Sequence, residues 1–117
     1  MIKPYKLANN NFLSSSDLST EEVIHVLEIA KKFKNKDLNI VFNQKVLGLI
    51  FDKSSTRTRV SFQVAMSRLG GTTIDLNPNT SQIGRGEPIK DTARVLSRYC
   101  DVLAIRTFNH EDLEEYA

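Results

Sequence analysis

The chain has no tryptophan, one cysteine, three prolines and five glycines among its 117 residues. A single thiol, Cys100, excludes an internal disulfide framework and points to a reducing, cytoplasmic setting. No charge of one sign dominates: sixteen Lys and Arg against fourteen Asp and Glu leave a net +2. So small a bias argues against a protein of nucleic acid or membrane surfaces. No apolar run approaches the roughly 20 residues that span a bilayer, and the opening M-I-K-P-Y-K-L lacks the apolar core of a secretory signal. His25 and His110 have no Cys or His at ligand spacing, so no metal is expected. Neither a G-x-x-x-x-G-K-[ST] loop nor a G-x-G-x-x-G fingerprint occurs. What remains is ordinary for a globular chain of at most one domain, with 40% hydrophobic and 26% charged residues.

The apolar pattern alternates between two periods. Ser19 with Glu22 three residues on reads as a capping box, and Val23, Val26, Leu27, Ala30 and Phe33 follow at helical spacing. This predicts a helix from about Thr20 to Lys36, with its lysines gathered at the C-terminal end. Val46 to Phe51 is a short, nearly continuous apolar run, the mark of a strand buried on both faces in a parallel sheet. Phe62, Ala65, Met66 and Leu69 mark a second helix, closed by Gly70-Gly71. Thr72 to Leu76 is a second strand, and Asn77 to Pro88 a long polar loop. Ile89, Ala93, Leu96 and Cys100 form a third helical stripe, Val102 to Ile105 a third strand ending at Arg106, and Glu111 to Tyr116 a last helix. The alternation predicts an α/β fold, a parallel sheet flanked by helices. In such sheets ligands bind beyond the carboxyl ends of the strands.

The segment F-D-K-S-S-T-R-T-R-V-S-F, residues 51 to 62, lies at such an end and opens a helix. Free backbone N–H groups and the positive end of a helix dipole suit an anion. Ser54, Ser55, Thr56 and Thr58 add hydroxyls, and Arg57 and Arg59 add guanidinium groups that match phosphate oxygens in pairs. Serines and threonines before a helix are often only caps. Four hydroxyls and two arginines within six residues tip the balance to an anion site.

S-S-T-R-T-R resembles the carbamoyl-phosphate signature of the aspartate/ornithine carbamoyltransferases. S-Q-I-G-R-G-E-P-I-K-D-T-A-R-V-L-S-R-Y, residues 81 to 99, is similar to that family's mobile loop and the helix after it, and the spacing to Arg106 also matches. The resemblance runs from the region of Leu13 to the end of the chain. It implies that residues 1 to 117 are a carbamoyl-phosphate-binding domain cut short before an H-P-x-Q motif, as part of a two-domain enzyme whose amino-acid-binding domain is absent.

The resemblance also implies roles. Ser55, Thr56, Arg57 and Thr58 would hold the phosphate and the carbamoyl oxygen, Arg106 would bind phosphate and polarise the carbonyl, and Gln82 would reach into the site of a neighbouring subunit in a homo-oligomer, a trimer. Arg57, Thr58 and Arg106 would be the catalytic set. The reaction would carry a carbamoyl group from carbamoyl phosphate to ornithine, with no cofactor. F-D-K before the signature looks ornithine-like, whereas Arg85 decides little. Aspartate, putrescine or a modified ornithine are alternative acceptors, because the acceptor's own contacts would lie past Ala117. Capture of phosphate without turnover is the alternative from another class. Gln63 departs from the family, which usually has an acidic residue there.

Other residues read as structural. Arg59 points away from Arg57 on a helix and is expected in a salt bridge. Cys100 is expected to be a buried thiol, His25 and His110 to be structural or exposed, Asp91, Arg94 and Arg98 to form a surface ion-pair ladder, and Lys31, Lys32, Lys34 and Lys36 to be solvated. A chain lacking the rest of its domain is expected to leave apolar sheet and helix faces exposed.

Overall fold

The computed structural model describes residues 6–36, 39–52, 55–76 and 86–117. The chain divides into two units, Met1–Ile40 and Val41–Ala117.

In the first unit two carboxylates organise the backbone. A 3-10 turn, Ser15–Asp17, precedes helix α1, Thr20–Lys34. The Asp17 carboxylate accepts from the N–H groups of Leu13 and Ser14 at 2.7 and 3.1 Å. The capping box at α1 forms as expected: Glu22 N–H donates to Ser19 Oγ at 3.1 Å, and Ser19 N–H to Glu22 Oε1 at 2.9 Å. The other Glu22 oxygen accepts from Ala8 N–H at 2.9 Å. These bonds to the charged form hold the carboxyl below its usual range, the Ser19 backbone contributing most and Ala8 next. Helix α1 ends two residues earlier than the lysine run predicts, because Lys36 has a left-handed φ of 61° that no helix continues through.

The second unit is built on strand β1, Val46–Phe51. Helix α2, Thr56–Arg68, leads to β2, Thr72–Leu76, and α3, Ile89–Tyr99, leads to β3, Val102–Arg106. Helix α4, His110–Tyr116, follows. All pairing is parallel and the strand order is β2-β1-β3. The two-sided apolar reading of β1 is borne out, since Leu47, Leu49, Ile50 and Phe51 are all buried. Met66 of α2 and Ala104 of β3 pack against Leu47, Leu49 and Phe51. Full burial of a side chain such as Leu49 contributes about 1.5–3 kcal/mol.

Two glycines are dictated by their surroundings. A Cβ on Gly48, in the centre of β1, would stand 2.7 Å from Leu103 Cδ2 and 3.1 Å from Cys100 Sγ. Only a bare backbone lets β3 and the end of α3 approach so closely. Gly70 ends α2 at φ 84°, where any other residue is strained. Cys100, expected on the α3 stripe, lies one residue past the helix in extended conformation. Its thiol lies beside Gly48, and burial raises its pKa, with Asp101 adding to the effect.

Candidate functional site

The sheet has one topological switch point. From β1 the chain crosses through α2 to β2 on one side, then returns through α3 to β3 on the other. By the rule for open α/β sheets, the ligand crevice is expected outside the carboxyl ends of β1 and β3, where the strand order reverses. The last residues of the two strands face each other in register, Phe51 with Arg106. The ladder continues one step further, Asp52 N–H donating to the Arg106 carbonyl at 2.7 Å. Arg106 and the start of the 52–58 connection are thus neighbours on adjacent strands, which lie about 4.8 Å apart.

Helix α2 begins at that crevice. Ser55 is its N-cap residue, and the first helical bond runs from Arg59 N–H to the Ser55 carbonyl at 3.1 Å. Unlike Ser19 on α1, Ser55 makes no side-chain cap bond, so its hydroxyl is not spent on the helix. Helix geometry leaves the N–H groups of Thr56, Arg57 and Thr58 without intrahelical acceptors. Thr56, Arg57 and Thr58 are exposed, as is Arg106. Among the described residues no carboxylate pairs with Arg57 or Arg106. Two guanidinium groups, three hydroxyls and a helix N-terminus therefore share one end of the sheet, and among the described residues neither guanidinium forms an ion pair.

Arg59 behaves differently, as its place on the helix predicts. Its Nε stands 3.2 Å from Asp75 Oδ2 on β2, with the two side chains 29% and 36% exposed. Its guanidinium carbon lies 5.5 Å from the centre of the Phe51 ring. Phe51 in turn meets Phe62 of α2 edge-on, with ring centres 6.4 Å apart at 78°.

Helix α4 brings a group that the sequence reading passed over. Tyr116 is pushed up to about 12 by burial first, then by Asp52, Asp112, Glu115 and Glu87. Its phenol stays protonated and remains a hydrogen-bond donor across the physiological range. Of these, Asp52 directly follows β1 and Glu87 lies two residues before α3. Its only sequence signal was an aromatic residue on a short acidic helix. Asp75 was missed too; a charged residue in a parallel strand is itself a signal, but its partner is distant in sequence.

Gln82, Arg85 and Ser54 lie outside the described residues. The expected ladder on α3 does not form: among the described residues Asp91 pairs with neither Arg94 nor Arg98. All three side chains are exposed, where water screening leaves little to gain from ordering them. His110 pairs with Glu114 at 3.4 Å within α4. Among the described residues no group of three His, Cys, Asp or Glu is placed to hold a metal, and no helix is long and apolar enough to cross a membrane.

Residues 10–117 match the family model described as aspartate/ornithine carbamoyltransferase, carbamoyl-P binding domain. An ornithine carbamoyltransferase of Prochlorococcus marinus strain MIT 9312 is 82% identical over all 117 residues, which span 38% of its length. The solved structure of ornithine carbamoyltransferase from Pyrococcus furiosus is 45% identical at a TM-score of 0.85, covering 97% of this chain and 37% of that one. Aspartate transcarbamoylase from Trypanosoma cruzi, solved in complex with carbamoyl phosphate, is 29% identical at a TM-score of 0.82, covering 94% of this chain and 35% of that one.

Proposed function

The chain belongs to the aspartate/ornithine carbamoyltransferase family, and from that premise we propose that it supplies the carbamoyl-phosphate site of an ornithine carbamoyltransferase. The reaction is transfer of the carbamoyl group from carbamoyl phosphate to the side-chain amine of ornithine, giving citrulline and phosphate, a step of arginine metabolism. The observation that carries the site is exposed Arg57 on the first turn of α2, at the same sheet end as exposed Arg106, neither in an ion pair among the described residues. The choice of ornithine over aspartate, putrescine or a modified ornithine rests on the 82% identical relative of that name.

The roles follow from charge. The neutral amine attacks the carbamoyl carbon, a C–N bond forms, the C–O bond to phosphate breaks with its electron pair leaving on phosphate, and one amine proton passes to the departing phosphate. Negative charge grows first on the carbonyl oxygen and then on the leaving group. Arg106 and the Thr58 hydroxyl would meet the oxyanion. Arg57, Ser55, Thr56 and the α2 N–H groups would hold the phosphate. Fixed donors of this kind stabilise developing charge without reorganising at the moment of reaction. Gln82, on the sequence match alone, would enter the site of a neighbouring subunit, which makes the enzyme a homo-oligomer, a trimer. The single thiol fits a cytoplasmic enzyme.

A second reading, phosphate capture without transfer, is favoured for the chain alone by its spanning 38% of its relative's length. Calorimetry separates the two. Carbamoyl phosphate and inorganic phosphate should bind, and Arg57→Ala should weaken that binding about 10- to 100-fold, the worth of a charge-assisted contact. Arg98→Ala, on the exposed face of α3, should leave it unchanged. Equal losses from both changes would refute the site. Heat of ornithine binding in the presence of phosphate would favour transfer over capture.

A further inference from the structure

We propose that Arg59 is a positioning residue, which clamps the first turn of α2 to the end of the sheet and so fixes where Arg57 and the helix N–H groups point. The inference rests on the anion site proposed above. Arg57 and Arg59 are two positions apart on one helix, so their side chains leave it in nearly opposite directions and cannot meet one anion together. Arg57 is exposed and forms no ion pair among the described residues; Arg59 turns back onto the sheet.

Three contacts make the clamp, and all lie at the carboxyl end of the sheet. Arg59 Nε is 3.2 Å from Asp75 Oδ2, on the residue before the end of β2. The guanidinium lies 5.5 Å from the centre of the ring of Phe51, the last residue of β1 and only 4% exposed. That ring also meets the ring of Phe62, further along α2, in a T-shaped contact. One side chain thus ties the first helical turn to two strand ends, and Phe62 ties the following turns to the same ring. Beyond Phe62, the α2 side chain packed on the buried cluster among the described residues is Met66, nearly two turns past Arg59. Without Arg59 the first turn has no side-chain anchor of its own among the described residues.

The geometry also says which property of arginine is needed. The buried Nε–H is not aimed at the Asp75 oxygen and makes no hydrogen bond among the described residues. The contact with Asp75 is one of charge, while the flat group is held against the Phe51 ring. A lysine keeps the charge and loses the flat face. Arg59 has a second consequence, since it neutralises the Asp75 carboxylate near the place where an anion is to bind. Position and neutralisation must therefore be told apart by experiment.

The test measures the dissociation constant of inorganic phosphate for the chain by calorimetry, at a temperature where circular dichroism shows every variant folded. Arg59→Gln is expected to weaken binding about tenfold, and Arg59→Lys to recover only part of that loss. Adding Asp75→Asn to Arg59→Gln removes the bare carboxylate but rebuilds no clamp, so the double variant is expected to bind as weakly as Arg59→Gln. Asp75→Asn alone, which keeps the ring contact, is expected to lose about threefold and covers the case in which Arg59→Gln does not fold. A purely stabilising Arg59 would lower the melting temperature and leave the constant unchanged, which overturns the proposal. Recovery of wild-type binding by the double variant also overturns it, in favour of charge neutralisation. If the wild-type chain itself binds no phosphate, the anion site fails and the clamp with it, an outcome distinct from a wild type that binds and variants that bind equally.

Discussion

Arg57, Arg59 and Arg106 show how one residue type takes separate tasks from its position alone. Arg106 ends a strand, Arg57 faces out of a first helical turn, and Arg59 faces the sheet. The division between Arg57 and Arg59 was legible from their spacing, because a helix sends the two apart. The partner of Arg59 was not, because Asp75 arrives only when β2 pairs with β1. At the same scale, Gly48 sets how closely β3 can approach. Gly48→Ala should destabilise the fold by about 1–3 kcal/mol in a urea titration, as overpacking does. Its methyl would stand 2.7 Å from Leu103 Cδ2 and 3.1 Å from the Cys100 thiol. Adding Cys100→Ala should restore part of the loss, and Leu103 the remainder. An unchanged midpoint for Gly48→Ala would show that the strands have room to spare.

Among the elements, strands and helices were read well because each carries its own period. β1 announced itself by an uninterrupted apolar run, and α1 by its capping box. The misreadings lie at ends and between elements. α1 stops at Lys34, Cys100 leaves the α3 helix, and the ladder on α3 does not form. These outcomes depend on one residue's dihedral angles or on tertiary packing, neither of which periodicity reports. Ser55 and Ser19 make the same point: both precede helices, yet only Ser19 caps with its side chain. The α1 cap has a pH dependence of definite sign. The Glu22 carboxyl is held below its ordinary range in the folded chain, so its contribution is present above the unfolded value and is lost as pH falls through the folded one. The protection of the Ala8 and Ser19 amides, taken relative to their intrinsic exchange rate at each pH, should fall as acid is added. Glu22→Gln should show faster exchange already at neutral pH, because an amide accepts through one oxygen where the carboxylate uses two. Exchange at those amides that ignores both acid and the substitution would refute the clasp. Ser19→Ala should cost α1 about 1 kcal/mol, as loss of a cap does.

Among the described residues of the second unit, the buried apolar side chains lie in one central strand, and Arg57 and Arg106 lie at one end of the sheet. The expected bare apolar faces are present: Val60, Phe62 and Val64 on α2 and Val95 and Tyr99 on α3 are all at least 40% exposed. The anion site was legible as a density of hydroxyls and guanidinium groups. The crevice that gives it a place was not, because it depends on β3 returning to the far side of β1. The most direct measurement is a titration of the isotopically labelled chain with inorganic phosphate, followed by nuclear magnetic resonance. The amides of Thr56, Arg57 and Thr58 and the side-chain Nε–H of Arg57 and Arg106 should shift together with one dissociation constant, while Arg98 stays still. Saturable shifts elsewhere with those five signals unmoved would contradict the account.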